Sequence, residues 1–209
     1  MPYAFAQKEV TAMPVATSRK TRPALPGKGA QTDAAANDIA AMIRVDHAGE
    51  FGALRIYEGQ LAVLSHVSSA QENATSIAHM AAQEKKHFDV FSEMVKARRV
   101  RPTALEPVWH VAGYALGAAT ALIGEKAAMA CTVAVEDVID EHYAGQIEKL
   151  AARPDESDLK MTVEKFRRDE LEHRDEALAR GAEQAPFYGL LSSAIRLGCR
   201  TAIRLSERI

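Results

Sequence analysis

The sequence predicts an all-α protein: a four-helix bundle made from two helical hairpins, with an uncharged helix joining them and an amphipathic helix at the end. Three observations predict it. Apolar residues recur at three- and four-residue steps through long stretches. The 8 Pro fall between those stretches or at their edges. Part of the pattern also occurs twice, displaced by 86 residues so that Glu50 falls on Glu136.

A chain of 209 residues is enough for one domain with a real core and a tail. With 26 Lys+Arg against 28 Asp+Glu it lacks the basic excess by which a general nucleic-acid binder releases counterions, so no nucleic acid is expected as a partner. Two cysteines, Cys131 and Cys199, exclude a disulfide framework and an all-Cys metal site. They read as small core residues.

Residues 1–37 are expected to form a flexible tail. Pro2, Pro14, Pro23 and Pro26 interrupt any helix there, and no apolar period is sustained. Before Asp33 the only acid is Glu9, against five Lys and Arg, so an organelle transit peptide is the alternative to a disordered basic tail. Residues 38–209 are expected as the folded domain. Asn37-Asp38 offers an N-cap, and Ile39, Met42, Ile43, Leu54, Ile56, Leu61 and Leu64 carry a first helix. A second runs from about Asn73 to Arg99 and stops before Pro102. Residues 108–124 contain no Lys, Arg, Asp or Glu. As a helix they are about 25 Å long, short of a bilayer's ~30 Å core, which favours a buried helix, a membrane-surface helix or a substrate-facing wall over a span. Further helices follow from Glu125 to about Ala152 and from about Asp155 to Arg180, where Gly181 supplies the stop. The last begins near Pro186 and bears Arg196, Arg200, Arg204 and Arg208 at a four-residue step, a basic stripe suited to anionic lipid headgroups.

The chemistry lies in a few Glu and His residues. Of seven histidines only two have Glu three residues before them, Glu84-x-x-His87 and Glu170-x-x-His173. On a helix that spacing puts carboxylate and imidazole on one face. The two pairs are themselves related by the 86-residue shift, which also aligns Tyr57 with Tyr143, Gly59 with Gly145, Gln60 with Gln146 and Leu64 with Leu150. In each half a lone Glu, Glu50 or Glu136, precedes the Glu of its pair by 34 residues, room for a helix, a turn and a return. Two such hairpins bring together one Glu from each of two helices and Glu-x-x-His from each of the others, the ferritin-like di-iron carboxylate arrangement. Buried together, four carboxylates would protonate unless two divalent cations neutralised them, and mixed oxygen and imidazole ligation suits iron or manganese. Glu84 and Glu170 are then expected to bridge the metals, Glu50 and Glu136 to be terminal ligands, and His87 and His173 to bind one metal each. Each imidazole should have an acceptor at its other nitrogen, with Asp140 as a candidate on helical spacing. His142 stands where the repeat has Ile56, so it is a candidate for a role confined to one half. Tyr57 and Tyr143 are expected to line the core near the metals.

The wording resembles a known family. The runs RVDHAGEFGAL at 44–54, HMAAQEKKH at 79–87, AMACTVAVED at 128–137, DELEH at 169–173 and LSERI at 205–209 are similar to those of the demethoxyubiquinone hydroxylases, membrane-associated di-iron monooxygenases of ubiquinone biosynthesis. The resemblance covers about residues 38–209. It implies O2-dependent hydroxylation of a demethoxyubiquinol, a polyprenyl quinol, with two Fe ions per chain and electrons from NADH or from the reduced quinone. It implies electron-transfer roles for His142 and Tyr143, and a greasy channel or membrane surface for the 108–124 helix. A peripheral place on the cytoplasmic face of a bacterial membrane follows, or alternatively the matrix side of the mitochondrial inner membrane. Partners implied are a second copy of the chain and other ubiquinone-biosynthesis proteins. A ferroxidase or a peroxide-reducing protein of the ferritin or rubrerythrin type would use the same ligands. The first has no need of an uncharged helix, and the second would usually bring a Cys-rich module.

Overall fold

A computed structural model describes residues 30–209, with side chains from residue 36. Six α-helices make up the fold: α1 Ala30–Leu64, α2 Gln71–Arg98, α3 Glu106–Ile123, α4 Glu125–Ala151, α5 Ser157–Ala179 and α6 Tyr188–Ser206. The greater part of the expected tail lies outside the described residues. Its last stretch does not: α1 is already helical at Ala30, so Asn37 and Asp38 sit inside the helix rather than capping it. The reason is local, since the Ala-rich run before Asn37 contains no breaker and favours helix.

The four bundle helices each bury a seam of alternating three- and four-residue steps, the spacing that keeps one stripe facing its neighbours in a bundle. In α1 the seam is Ile39, Ile43, Asp46, Glu50, Ala53, Tyr57, Gln60 and Leu64, all buried. In α5 it is Leu159, Val163, Phe166, Glu170, His173 and Ala177. The hairpins α1–α2 and α4–α5 therefore stack their polar seam residues at one level. Apolar layers close that level on both sides. Tyr57, Leu64, Ile77, Met80, Met129 and Val133 pack at one end, and Ile43, Phe91, Tyr143, Leu150, Leu159 and Phe166 at the other.

The remaining helices form a third layer. α3 lies against α1, and α6 against α4, so each half of the duplication is a hairpin plus one covering helix. Between them Leu116, Leu191, Ile195 and Cys199 pack over Ile56, Cys131 and Val135. The indole Trp109 Nε1 donates to Ser206 Oγ at 3.0 Å and ties the start of α3 to the end of α6. α3 turns straight into α4 at Gly124, whose φ of +144° is open to glycine and strained for other residues.

The uncharged helix α3 is not buried. Val108, Val111, Leu122 and Ile123 are exposed, as are Phe187, Leu190, Leu197 and Leu205 at and along α6. Among the described residues no helix is long and apolar enough to cross a membrane. The arginine stripe divides. Arg196 pairs with Asp137 and Arg200 with Glu141, each at 2.9 Å, so half of the stripe faces α4 carboxylates instead of the surroundings.

α3 approaches α1 at backbone distance. A Cβ on Gly117 would stand 1.9 Å from the Ile56 carbonyl oxygen, and one on Gly59 would stand 2.2 Å from that of Tyr114. Gly145, the repeat partner of Gly59, has nothing within 4 Å. Gly117→Ala is therefore expected to separate the helices and cost at least ~1–3 kcal/mol. Gly145→Ala is expected to be neutral or to stabilise by up to about 1 kcal/mol through helix propensity. Urea unfolding of the two variants checks the contrast.

Candidate metal centre

All six sequence-predicted ligand residues meet in the middle of the bundle, and none is more than 4% exposed. They form two overlapping groups, Glu50, Glu84, His87 and Glu170, and Glu84, Glu136, Glu170 and His173. Within each group one donor atom per residue lies within 4.8 Å of the others. The shared members are Glu84 and Glu170, the two expected to bridge.

Each imidazole turns Nδ1 inward. His87 Nδ1 is 3.0 Å from Glu170 Oε1 and 3.5 Å from Glu50 Oε2. His173 Nδ1 is 3.0 Å from Glu170 Oε2 and 3.1 Å from Glu84 Oε1. Nε2 points outward in both, His87 to Asp169 Oδ2 at 3.0 Å and His173 to Gln83 Oε1 at 3.1 Å. These acceptors replace Asp140, which pairs with Arg167 at 2.7 Å. Asp169 and Gln83 occupy equivalent places, each directly before the Glu of its own pair, and each serves the imidazole of the opposite half. A match of Gln to Asp is invisible to an identity comparison, which is why the repeat did not disclose them. Stacking on Phe166, with centroids 3.9 Å apart, further fixes the His87 ring.

The tyrosines cross between halves in the same way. Tyr57 Oη donates to Glu136 Oε1 at 2.8 Å, and Tyr143 Oη donates to Glu50 Oε1. Glu50 and Glu136 are thus each held by the other half's phenol. Burial, followed by the adjacent carboxylates, pushes both phenols well above their ordinary pKa, so they remain donors.

The electrostatics show what the cluster lacks. Burial first, and then neighbouring Glu170, raise Glu84 and Glu136 well above the carboxylate range. Burial acts upward on Glu170 too, but the adjacent imidazoles of His173 and His87 outweigh it and hold that group at about 2. For His87, burial works against the charged ring, yet Glu170 and Glu50 lift it to about 10. Protons must therefore offset the charge wherever cations do not. Despite the short distances, Glu84 Oε1, Glu170 Oε1 and His87 Nδ1 have no partner in hydrogen-bonding orientation. Buried polar atoms are seldom left so, and a ligating metal would satisfy all three. The donor set fits two divalent cations.

One side of the cluster is open. A cavity of about 20 Å³, room for roughly one water, touches Glu50, Glu84, Glu136 and Glu170 and runs outward past Asp46, His142, Tyr143, Ile139 and Ile203. His142 Nε2 lies 3.2 Å from Asp46 Oδ1, which also accepts from Gln146 Nε2 at 2.7 Å. Asp46 carried no motif and escapes sequence reasoning; the one hint is its place on the buried seam one turn before Glu50.

Fold and site together define a ferritin-like carboxylate protein with a paired Glu and Glu-x-x-His centre. The family follows from comparison. Residues 37–206 match the model of the ubiquinone biosynthesis protein COQ7 family, and the chain belongs to that family. It is 56% identical over 167 residues, 80% of this chain and 76% of the relative, to the 3-demethoxyubiquinol 3-hydroxylase of Rhodospirillum rubrum. The human mitochondrial NADPH-dependent 3-demethoxyubiquinone 3-hydroxylase is 52% identical over 170 residues, 80% and 76% of the two chains. The mitochondrial 5-demethoxyubiquinone hydroxylase of Saccharomyces cerevisiae is 41% identical over 191 residues, covering 85% and 81%.

Neither cysteine takes part. Burial pushes the Cys131 thiol up to about 12 and the Cys199 thiol to about 11. Since the thiolate is the reactive form, both should resist iodoacetamide in the folded protein near pH 8 and react fully in guanidinium. Mass spectrometry of the two reactions checks this.

Proposed function

We propose that this chain hydroxylates the vacant ring position of a demethoxyubiquinol, with O2 as co-substrate, at a di-iron centre held by Glu50, Glu84, His87, Glu136, Glu170 and His173. The observation that carries the reading is the pair of overlapping ligand groups, which share Glu84 and Glu170 and border a cavity. Two iron ions bound there would supply the activation of O2 for attack on an electron-rich ring. The rest falls to the protein. Glu84 and Glu170 would be shared by the two ions and Glu50 and Glu136 would each serve one, while Tyr57 donates to Glu136 and Tyr143 to Glu50, restraining both. Asp169 and Gln83 keep the inward face of each imidazole as the ligand. The apolar layers above and below exclude water.

His142 and Tyr143 lie on the open side and are the residues we assign to passing electrons into the centre, from NADH or from the reduced quinone. The names of the human and Dictyostelium relatives specify NADPH. The exposed apolar residues of α3 and α6 support a peripheral membrane position, where a polyprenyl tail would lie. In a bacterium this is the cytoplasmic face of the cell membrane, and in a eukaryote the matrix side of the inner mitochondrial membrane. The same exposed layer is where a second copy or another protein of the pathway would dock. We also take the catalytic domain to begin near residue 38, with the first turns of α1 extending ahead of it. A ferroxidase or peroxide-reducing role has no comparable use for the α3–α6 layer.

Two outcomes are expected. Protein incubated anaerobically with ferrous iron should retain two Fe per chain by elemental analysis. At free iron about a hundredfold above Kd it should gain about 2.7 kcal/mol, roughly 5–10 °C in Tm, an increase that His87→Ala or Glu170→Ala removes. Retention of no iron would end the di-iron reading. Separately, cells lacking the gene should accumulate a demethoxyquinone, and intact gene but not Glu170→Ala should clear it. Normal quinone in the deletion strain would contradict the hydroxylase assignment.

A further inference from the structure

The two halves match at the cluster and differ beside it. Asp46 falls on Thr132 in the repeat, His142 on Ile56, and Gln146 on Gln60. In the second set Gln60 Nε2 donates to the Ala128 carbonyl at 3.0 Å and no acid is present. In the first set, Gln146 and His142 converge on one oxygen of Asp46, Oδ1. The other oxygen, Oδ2, is buried without a partner, on a residue only 3% exposed. Asp46 lines a cavity that also touches the carboxylates, Glu50 among them. A buried, unpartnered carboxylate oxygen costs stability unless something supplies a donor.

We propose that Asp46 determines substrate specificity: its free Oδ2 accepts a hydrogen bond from a ring hydroxyl of the quinol and so selects the reduced ring over the quinone. This inference rests on the hydroxylase reading above and deepens it. The chemistry is one-sided. A quinol hydroxyl donates to a carboxylate oxygen in a charge-assisted bond, whereas a quinone carbonyl has only lone pairs to present. Gln146 supplies the restraint. Its amide holds Oδ1, which leaves the carboxylate no freedom to turn its second oxygen away. His142 Nε2 lies 2.9 Å from Gln146 Nε2 and completes the triangle. Because Thr132 and Ile56 stand in the corresponding places of the other half, the ring docks on the Asp46 side alone. A symmetric cluster thereby acquires one productive face.

The test uses the full chain loaded with zinc, which does not change oxidation state and so preserves that of the probe. The probes are a tail-less methoxy-methyl benzoquinol and the matching benzoquinone, measured by equilibrium dialysis without oxygen. Wild type is expected to bind the quinol about tenfold or more tighter, the factor a charge-assisted hydrogen bond supplies. Asp46→Asn places an amide donor where Oδ2 was and should abolish or invert that preference while zinc stoichiometry and helicity stay unchanged. Gln146→Met leaves the carboxylate but frees it, and should lower the preference part way; it serves if the Asn variant does not fold. Equal binding of the two probes by the zinc-loaded wild type overturns the inference and leaves the metal reading intact. An unchanged ratio in folded Asp46→Asn overturns it as well. Failure to hold zinc together with failure to bind either probe overturns both readings.

Discussion

Everything in this molecule depends on keeping four carboxylates and two imidazoles together in a space without water. Such a cluster is costly for any helical bundle, because each charge loses its hydration and meets others of the same sign. The cost is met within the cluster. Tyr57 and Tyr143 donate to the terminal carboxylates, and both imidazoles turn one nitrogen inward. What remains is a negative excess concentrated on Glu84 and Glu136, whose affinities for protons are driven far up by burial. Cations relieve that excess better than protons do, since a divalent ion also occupies the inward-facing donors that no hydrogen bond reaches. The apolar layers at either end are the other half of the same constraint. They make the pocket dry, and dryness is what gives the charges their strength.

Duplication explains how the cluster is so nearly symmetric. Each half contributes one terminal Glu, one Glu-x-x-His pair, one phenol and one acceptor for an imidazole, and the phenols and acceptors serve the opposite half. Neither hairpin is complete alone, so the seams must assemble before the site exists. On the side of the cavity the halves differ, since Asp46 and His142 have Thr132 and Ile56 as repeat partners. Asp46, His142 and the α6 residue Ile203 line the opening.

The bundle and the meeting of its six Glu and His residues were legible in the sequence for one reason: helical periodicity and the spacing of those residues are the same geometry. The steps that carry Ile43, Glu50, Tyr57 and Leu64 onto one seam also carry Glu84 and His87 onto another. What escaped was contact across the seam between different elements. Asp140 stood at a sensible helical offset from Glu136, yet Arg167 of α5 claims it. Asp169 and Gln83 became visible only once the opposing hairpin was in place. The arginine stripe illustrates the same limit. A four-residue period places Arg196, Arg200, Arg204 and Arg208 along one side of α6, but nothing local says that Asp137 and Glu141 of α4 face the first two. The start of α1 erred in the other direction, because an N-cap pair does not stop a helix that the preceding alanines already favour.

The close approach of α3 to α1 joins the outer layer to the chemistry. Gly117 and Gly59 remove the side chains that would hold the helices apart, so the backbones of α3 and α1 come into direct contact there. The apolar outer faces of α3 and α6 are consequently one helix layer from the carboxylates. Of that outer layer, Ile203 of α6 reaches the lining of the cavity beside the carboxylates, next to Ile139 of α4, whereas α3 contributes none of the lining residues. The close packing at Gly117 and Gly59 therefore seats α3 on the outside of α1, and the carboxylates stay enclosed by the bundle.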